Sequence, residues 1–168
     1  MRTHTWLLGT LAVVTALGTP ATTRAADLDN QTTLTFAIPI EVPGTTLQPG
    51  AYVFETAAGP AGRHTVRIHS GDRSKLIATV EAVSMKRDGP SDVVQYRPTI
   101  LGSAPTALKG WFAAGSTTGY QLVYSEREAA AIANRTAERV IASVTHDGTP
   151  QLVVIDAYGA RSPWQPTT

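Results

Sequence analysis

The three histidines that follow residue 25 are the first place to look for metal or acid–base chemistry. His64 and His69 are five residues apart in one run that reads as a strand. Side chains alternate between the two faces of a strand, so an odd separation places these imidazoles on opposite faces. His146 precedes Asp147 at a turn, where polar residues are expected on other grounds. A metal site needs several ligands converging on one point, so we predict no metal site and no cofactor.

Four acidic residues lie in or beside predicted strands and are the candidates for hydrolytic chemistry. Glycoside hydrolysis needs two carboxyl groups that flank one bond. Each candidate lies on a separate strand, and the sequence does not show whether any two of them meet. A serine nucleophile in a G-x-S-x-G turn does not occur. A hydrolase is therefore the weakest of our hypotheses, and no catalytic residue is assigned. The four acids are Glu41, Glu55, Glu81 and Asp156.

An aromatic pair, Trp111 and Phe112, lies in the stretch 99–118, which we interpret as a long connection. Long connections in compact domains are usually functional or hold structure of their own. On an exposed loop, the two rings would form a platform for a sugar or a protein partner. We favour the alternative that a helical turn at 106–109 places them as a plug in the open end of the sheet, because large aromatics dominate cores. They are the only candidates for partner or ligand contact.

The first 25 residues have the three parts of a secretory signal peptide in the required order. Arg2 supplies positive charge, an apolar run of 13 residues (6–18) follows, and a polar stretch leads to small residues at positions 23 and 25. The apolar run is shorter than the roughly 20 residues that a membrane-spanning helix needs. We predict cleavage between Ala25 and Ala26, with cleavage after Ala26 as the second choice. The protein is thus expected in the periplasm or outside the cell.

The composition of the remaining chain limits its partners. Without the first 25 of its 168 residues it has 143, a length that fits one domain. Removing Arg2 and Arg24 from 14 basic residues leaves 12 against 13 acidic ones, a formal net charge of −1. That balance argues against a nucleic-acid-binding protein, which needs a basic face. The chain has no cysteine, which excludes disulfides, thiol catalysis and thiolate ligands. We expect no membrane span after signal removal; the oligomeric state stays open.

Short β-branched and aromatic runs, separated by glycine and proline, predict an all-β domain. Between positions 34 and 42, apolar residues alternate so that 34, 36, 38, 40 and 42 share one face of a strand. Pro39 has no amide proton to donate, so this strand should lie at an edge or carry a bulge. Further strands are predicted at 51–55, 64–70, 75–85, 93–97, 119–124, 141–145 and 152–158.

One late helix is predicted from a change of period. Ser125 and Glu128 have the spacing of a capping box, and small or apolar residues follow at helical spacing. The helix should span 126–134, or in a longer interpretation continue through Ala137 to Ile141. We predict a single domain at 26–159, mainly antiparallel, built as a sandwich or small barrel of about seven to nine strands. A loose tail is expected at 160–168.

Four segments, taken in order, resemble a family of uncharacterised secreted bacterial proteins found in acidobacteria among others. The segments are V-P-G and L-Q-P-G-A-Y-V-F at 42–44 and 47–54, S-K-L-I-A-T at 74–79, S-A-P-T-A-L-K-G-W-F at 103–112, and Y-Q-L-V-Y at 120–124. Where relatives tend to have proline at the helix start, this chain has Ser125, and both residues suit that position. The resemblance spans about 36–133 and leaves the chain beyond about 137 uncovered. It implies an exported β-rich protein and no assigned activity.

Three functions follow as hypotheses. The first is a non-enzymatic exported β-domain that binds a protein partner or an envelope component. The second is a carrier of a small apolar ligand, with a pocket inside the β-structure, and the third is the hydrolase. A closed barrel with an unfilled interior would favour the carrier, and two acids in one cleft would favour the hydrolase. A filled core with an exposed aromatic patch would favour the partner-binding domain.

Overall fold

A computed structural model describes residues 30–88, 93–113 and 115–166, so the cleavage site at Ala25 and Ala26 lies outside the described residues. The described chain is mostly β, as predicted, with one α-helix and a short 3-10 helix at Pro60–Gly62. Among the described residues, twelve strands form one mixed sheet that does not close; the predicted sandwich or barrel and the count of seven to nine strands are not confirmed. The elements are β1 Gln31–Phe36, β2 Ile40–Val42, β3 Thr45–Leu47, β4 Gly50–Ala58, β5 Arg63–Ser70, β6 Leu76–Lys86, β7 Val94–Arg97, β8 Thr106–Phe112, β9 Thr118–Ser125, α1 Glu126–Thr136, β10 Val140–His146, β11 Thr149–Ile155 and β12 Arg161–Pro163.

The sheet branches at β9. Its main path runs β1-β4-β5-β6-β9-β10-β11-β12. In the branch, β8 pairs with β9, both β7 and β2 pair with β8, and β3 pairs with β2. Neighbouring strands are antiparallel except for two parallel pairs, β2–β8 and β9–β10. Parallel neighbours need a crossover connection, and α1 supplies it between β9 and β10. The mixed sheet follows from these two crossovers.

The predicted first strand is broken into two. Leu34 and Phe36 are buried in β1, and Ile40 is buried in β2, but Ile38 between them is 54% exposed. The chain leaves its partner β4 after Phe36 and begins again beside β8 at Ile40. The alternation was correct within each piece, and the prediction that Ile38 shares one face of a continuous strand with the other four apolar residues is wrong.

The stretch 99–118 contains a strand where we expected a connection. Residues 106–109, expected as a helical turn, belong to β8, which pairs with β7, β9 and β2. In the register with β7, Gln95 faces Gly110 and Tyr96 faces Leu108, so Lys109 is the extra residue of a β-bulge. The bulge interrupts the two-residue period, so the sequence shows no strand pattern here.

Helix α1 begins as predicted. Ser125 is the N-cap, and its hydroxyl accepts a hydrogen bond from the Glu128 amide at 3.4 Å while the Glu128 carboxylate accepts one from the Ser125 amide at 3.1 Å. The helix ends at Thr136, and Ala137 adopts a left-handed conformation with φ of 57°. The longer interpretation is therefore wrong, since Ile141 lies in β10.

Apolar side chains form two clusters on opposite sides of the central strands. The large cluster contains Phe54, Trp111 and Tyr124 and is covered by the apolar side of α1. The small cluster joins Val83 and Ile141 with further side chains of β9 and β11, and Trp164 packs against it. No helix in the described ranges is both long and apolar enough to cross a membrane.

The C-terminal tail is paired where we expected it to be loose. Strand β12 is antiparallel to β11, and the amide of Trp164 donates a hydrogen bond to the Leu152 carbonyl at 3.1 Å. The indole of Trp164 contributes to the small apolar cluster. The expectation of a loose tail therefore fails for residues 161–164.

Candidate functional site

The aromatic pair lies in the core. Trp111 is 0% exposed and Phe112 is 1% exposed. The indole packs edge-on against Phe54, with ring centroids 4.9 Å apart. The guanidinium of Arg87 lies 4.3 Å from the centre of the Phe112 ring and covers it from outside. Since both rings are covered, they do not form an exposed platform, and their placement matches the plug rather than the partner contact.

The histidines contact separate groups. His64 Nε2 lies 2.9 Å from the Ser84 hydroxyl, and burial lowers the pKa of this imidazole. His69 Nε2 lies 3.5 Å from a Glu55 carboxylate oxygen. His146 is exposed beside Asp147. Within 30–88, 93–113 and 115–166, no group of three or more such side chains could hold a metal ion.

The four strand acids are also held separately. Three of them form ion pairs with different cations, and the fourth accepts two backbone hydrogen bonds within a turn. Because each carboxylate binds separate partners, these contacts do not bring two of them to one bond, as glycoside hydrolysis requires. The partners are Arg135 for Glu41, Arg67, His69 and Arg73 for Glu55, Arg63 for Glu81, and the amides of Tyr158 and Ala160 for Asp156.

A surface groove lies where the strand paired with one edge of β9 changes from β8 to β10. Strand β9 pairs with β8 as far as Gln121 and with β10 from Tyr124 onward. Both neighbours lie on the edge of β9 opposite β6, so β8 and β10 separate from each other there. A groove of about 370 Å³ occupies the gap. Side chains from β8, the start of β10 and the C-terminal segment line it.

Local backbone irregularities position the charged side chains of the groove. Lys109 is the bulged residue of β8, and a bulge turns a side chain away from its regular direction. Glu138 and Arg139 follow the left-handed Ala137 that ends α1, so they lie at the entry to β10. The ammonium of Lys109 lies 3.7 Å from a Glu138 carboxylate oxygen. Lys109, Glu138 and Arg139 all line the groove.

A buried arginine lies directly behind Glu138. The side chain of Arg97, at the end of β7, is 0% exposed, and its Nε lies 3.7 Å from the same carboxylate oxygen. Among the described residues, none of its three guanidinium nitrogens has a hydrogen-bond partner. Burial lowers the pKa of Arg97, and the nearby Tyr124 and Glu138 oxygens oppose that shift in part. A guanidinium remains protonated in proteins, so this is a buried positive charge with incomplete pairing.

The groove is consequently positive. Lys109 and Arg139 line it with two positive charges against the single carboxylate of Glu138, and the buried guanidinium of Arg97 adds a third positive charge behind Glu138. Burying a charge without hydrogen bonds costs several kcal/mol, and an anion beside Arg97 would recover part of that cost. The uncharged lining includes the half-buried indole of Trp164 and the amides of Gln121 and Gln165. This arrangement can hold an anionic group next to a flat, hydroxyl-bearing ring.

No family model, curated protein or solved structure significantly matches this chain.

None of the groove residues was predicted from the sequence. Arg97 ends a predicted strand beside Pro98, where a charged residue is normally exposed. Lys109 was assigned to the connection, and Trp164 to the loose tail. These segments reach β10 through the pairing of β7 with β8, of β8 with β9 and of β12 with β11. The sequence did not predict these pairings because neither β8 nor β12 was identified as a strand.

Proposed function

We propose that this protein is a non-enzymatic, exported domain that binds an acidic polysaccharide of the cell envelope in the groove between β8 and β10. The observation that carries the proposal is the buried Arg97, whose guanidinium has no hydrogen-bond partner among the described residues and faces the inner side of Glu138. Its positive charge adds to those of Lys109 and Arg139 at the groove. Charge-assisted hydrogen bonds to carboxylates are among the stronger polar contacts in proteins.

The uncharged groups of the groove indicate that its anionic ligand is a sugar. Trp164 is packed against the small apolar cluster and is half-buried, so part of its indole remains accessible at the groove. An indole face stacks well on the flat apolar face of a sugar ring. The amides of Gln121 and Gln165 each offer both a donor and an acceptor to hydroxyl groups. A groove open at the surface also suits a polymer that continues past the site.

Export is part of this proposal and is supported by the signal-like segment at residues 1–25. An envelope polysaccharide is accessible only to a protein outside the cytoplasm. N-terminal sequencing of the protein purified from the native envelope or culture medium should give a chain that begins at Ala26. Recovery of intact Met1 on that protein would refute export.

The other two hypotheses have less support. A carrier needs an unfilled interior, but the large apolar cluster contains the packed rings of Phe54, Trp111 and Tyr124. A hydrolase needs two carboxyl groups at one bond, but Glu41, Glu55 and Glu81 are each paired with different cations. The binding domain therefore has the strongest physical support.

The binding test compares an oligogalacturonide with its methyl-esterified form by titration calorimetry, because esterification removes the negative charge and leaves the sugar chain unchanged. We expect binding of the acid and much weaker binding of the ester. Changing Lys109 or Arg139 to Met should weaken binding about tenfold, the size of one charge-assisted hydrogen bond. Lys75→Met and Arg127→Met remove exposed charges outside the groove lining and serve as controls. Equal affinity for acid and ester, or undiminished affinity in the two groove variants, would refute the proposal.

A further inference from the structure

Glu138 is held only loosely in the groove. Its carboxylate lies 3.7 Å from both Lys109 and Arg97, which is within the range of ion pairing but beyond a hydrogen bond. No hydrogen bond to this carboxylate is present among the described residues, and the side chain is 37% exposed. The pair with Lys109 is partly exposed and contributes little to stability, whereas removing the negative charge beside the buried Arg97 would be costly. Glu138 can therefore rotate away from the two cations at small cost, provided that another anion replaces it beside Arg97.

The position of the Glu138 carboxylate also shows which ligand group fits. It is the one negative group between a buried guanidinium and a half-exposed ammonium. A guanidinium presents its donors in a planar fork that matches the two oxygens of a carboxylate. The space between Arg97 and Lys109 already contains such a planar, singly charged group.

From this arrangement we infer that Glu138 is a built-in competitor, which occupies the subsite for a ligand carboxylate between Arg97 and Lys109 and leaves it when the ligand binds. The inference rests on the proposed function, since it concerns the same groove. The ligand group recognised at this subsite is a carboxylate, as in a uronic acid. In the free protein, Glu138 supplies the counter-charge of Arg97. The free energy needed to displace Glu138 lowers the affinity for the ligand.

The first experiment measures oligogalacturonide affinity for the wild type and for Glu138→Gln, which keeps the shape of the side chain and removes its charge. We expect the variant to bind at least fivefold tighter. Glu126→Gln removes a carboxylate that pairs with the exposed Arg161 outside the groove lining, and it should leave the affinity unchanged. If the wild type binds and Glu138→Gln binds equally or more weakly, the competitor role is refuted while the proposed function survives. If neither chain binds, both are refuted.

A second experiment detects the subsite without a polysaccharide. In Glu138→Gln the buried Arg97 has lost its counter-charge, so sodium acetate should raise the melting temperature of this variant more than sodium chloride of equal ionic strength does. The wild type and Glu126→Gln should respond equally to the two salts. Glu138→Asp, which draws the carboxylate back by one methylene, should show a smaller acetate effect and serves if Glu138→Gln does not fold. An identical response of every variant to acetate and chloride would overturn the inference.

Discussion

Trp111 and Arg97 are the two largest fully buried side chains of the described residues. Among the described residues, neither the Trp111 indole nitrogen nor the three Arg97 guanidinium nitrogens have a hydrogen-bond partner. The indole also packs against Phe54, whereas the guanidinium brings a positive charge into the core. Residue type correctly favours burial for Trp111, but it wrongly favours exposure for Arg97. A plug was thus predictable at Trp111, while the burial of Arg97 depends on how β7 and β8 are covered by the rest of the chain.

Replacing Trp111 with Ala should lower the free energy of unfolding by about 3–5 kcal/mol, because it removes a fully buried aromatic side chain. Tyr158→Ala is the control, since that ring is 97% exposed and its loss should change stability by less than about 0.5 kcal/mol. Urea denaturation measures both. In a Trp164→Phe background, the emission of Trp111 should be blue-shifted and protected from iodide. Near-wild-type stability of Trp111→Ala, with free quenching in that background, would contradict its place in the core.

The elements differ in how much of them a local pattern can predict. Strands β4, β5 and β6 follow one another as hairpins, and α1 has its own capping box, so their positions were predicted to within a few residues. Strand β8 was missed because its bulge at Lys109 places Leu108 and Trp111, three positions apart, on the same buried side. A two-residue period cannot reveal a strand whose register shifts halfway along it.

The approach of β8 to β9 requires glycine at position 110. A Cβ there would lie 2.1 Å from the Tyr120 carbonyl oxygen, and backbone cannot move aside as a side chain can. We expect Gly110→Ala to lower the free energy of unfolding by about 3 kcal/mol. Gly44→Ala is the control, because its Cβ would contact nothing within 4 Å and the substitution is strained only by a φ of 79°, worth about 1–2 kcal/mol. Denaturant midpoints that order the two variants the other way would contradict the close approach.

At the scale of the molecule, the sequence predicted the β-rich class and not the architecture. The predicted number of strands was too low because four of the twelve described strands were not recognised as separate strands. These strands are short, irregular or contain proline or glycine: β2, β3, β8 and β12. The open, branched sheet and its two parallel pairs depend on contacts between distant segments. The groove was unpredictable for the same reason, since Lys109, Glu138 and Trp164 come from three segments that only the complete sheet brings together.

Removing residues 160–168 tests whether the tail belongs to the folded unit. The deletion takes away β12 and the indole that packs beside Ile141, so it should lower the melting temperature by several degrees and abolish oligogalacturonide binding. Trp164→Ala alone keeps the strand and should cause part of the loss in stability. A truncated chain that melts and binds like the wild type would show that the tail is dispensable. Differential scanning calorimetry and the binding titration provide the two measurements.

The parallel pairing of β2 with β8 affects the order in which the strands fold. It joins Ile40 to Thr106, far apart along the chain, whereas β4, β5 and β6 close only short hairpin loops. The entropy lost in closing a loop grows with its length, so the hairpins should form first and β2 should dock on β8 late. Folding dominated by such distant pairings takes on the order of milliseconds to seconds. No residue of β2 lines the groove between β8 and β10, so the groove can form before this last step of folding.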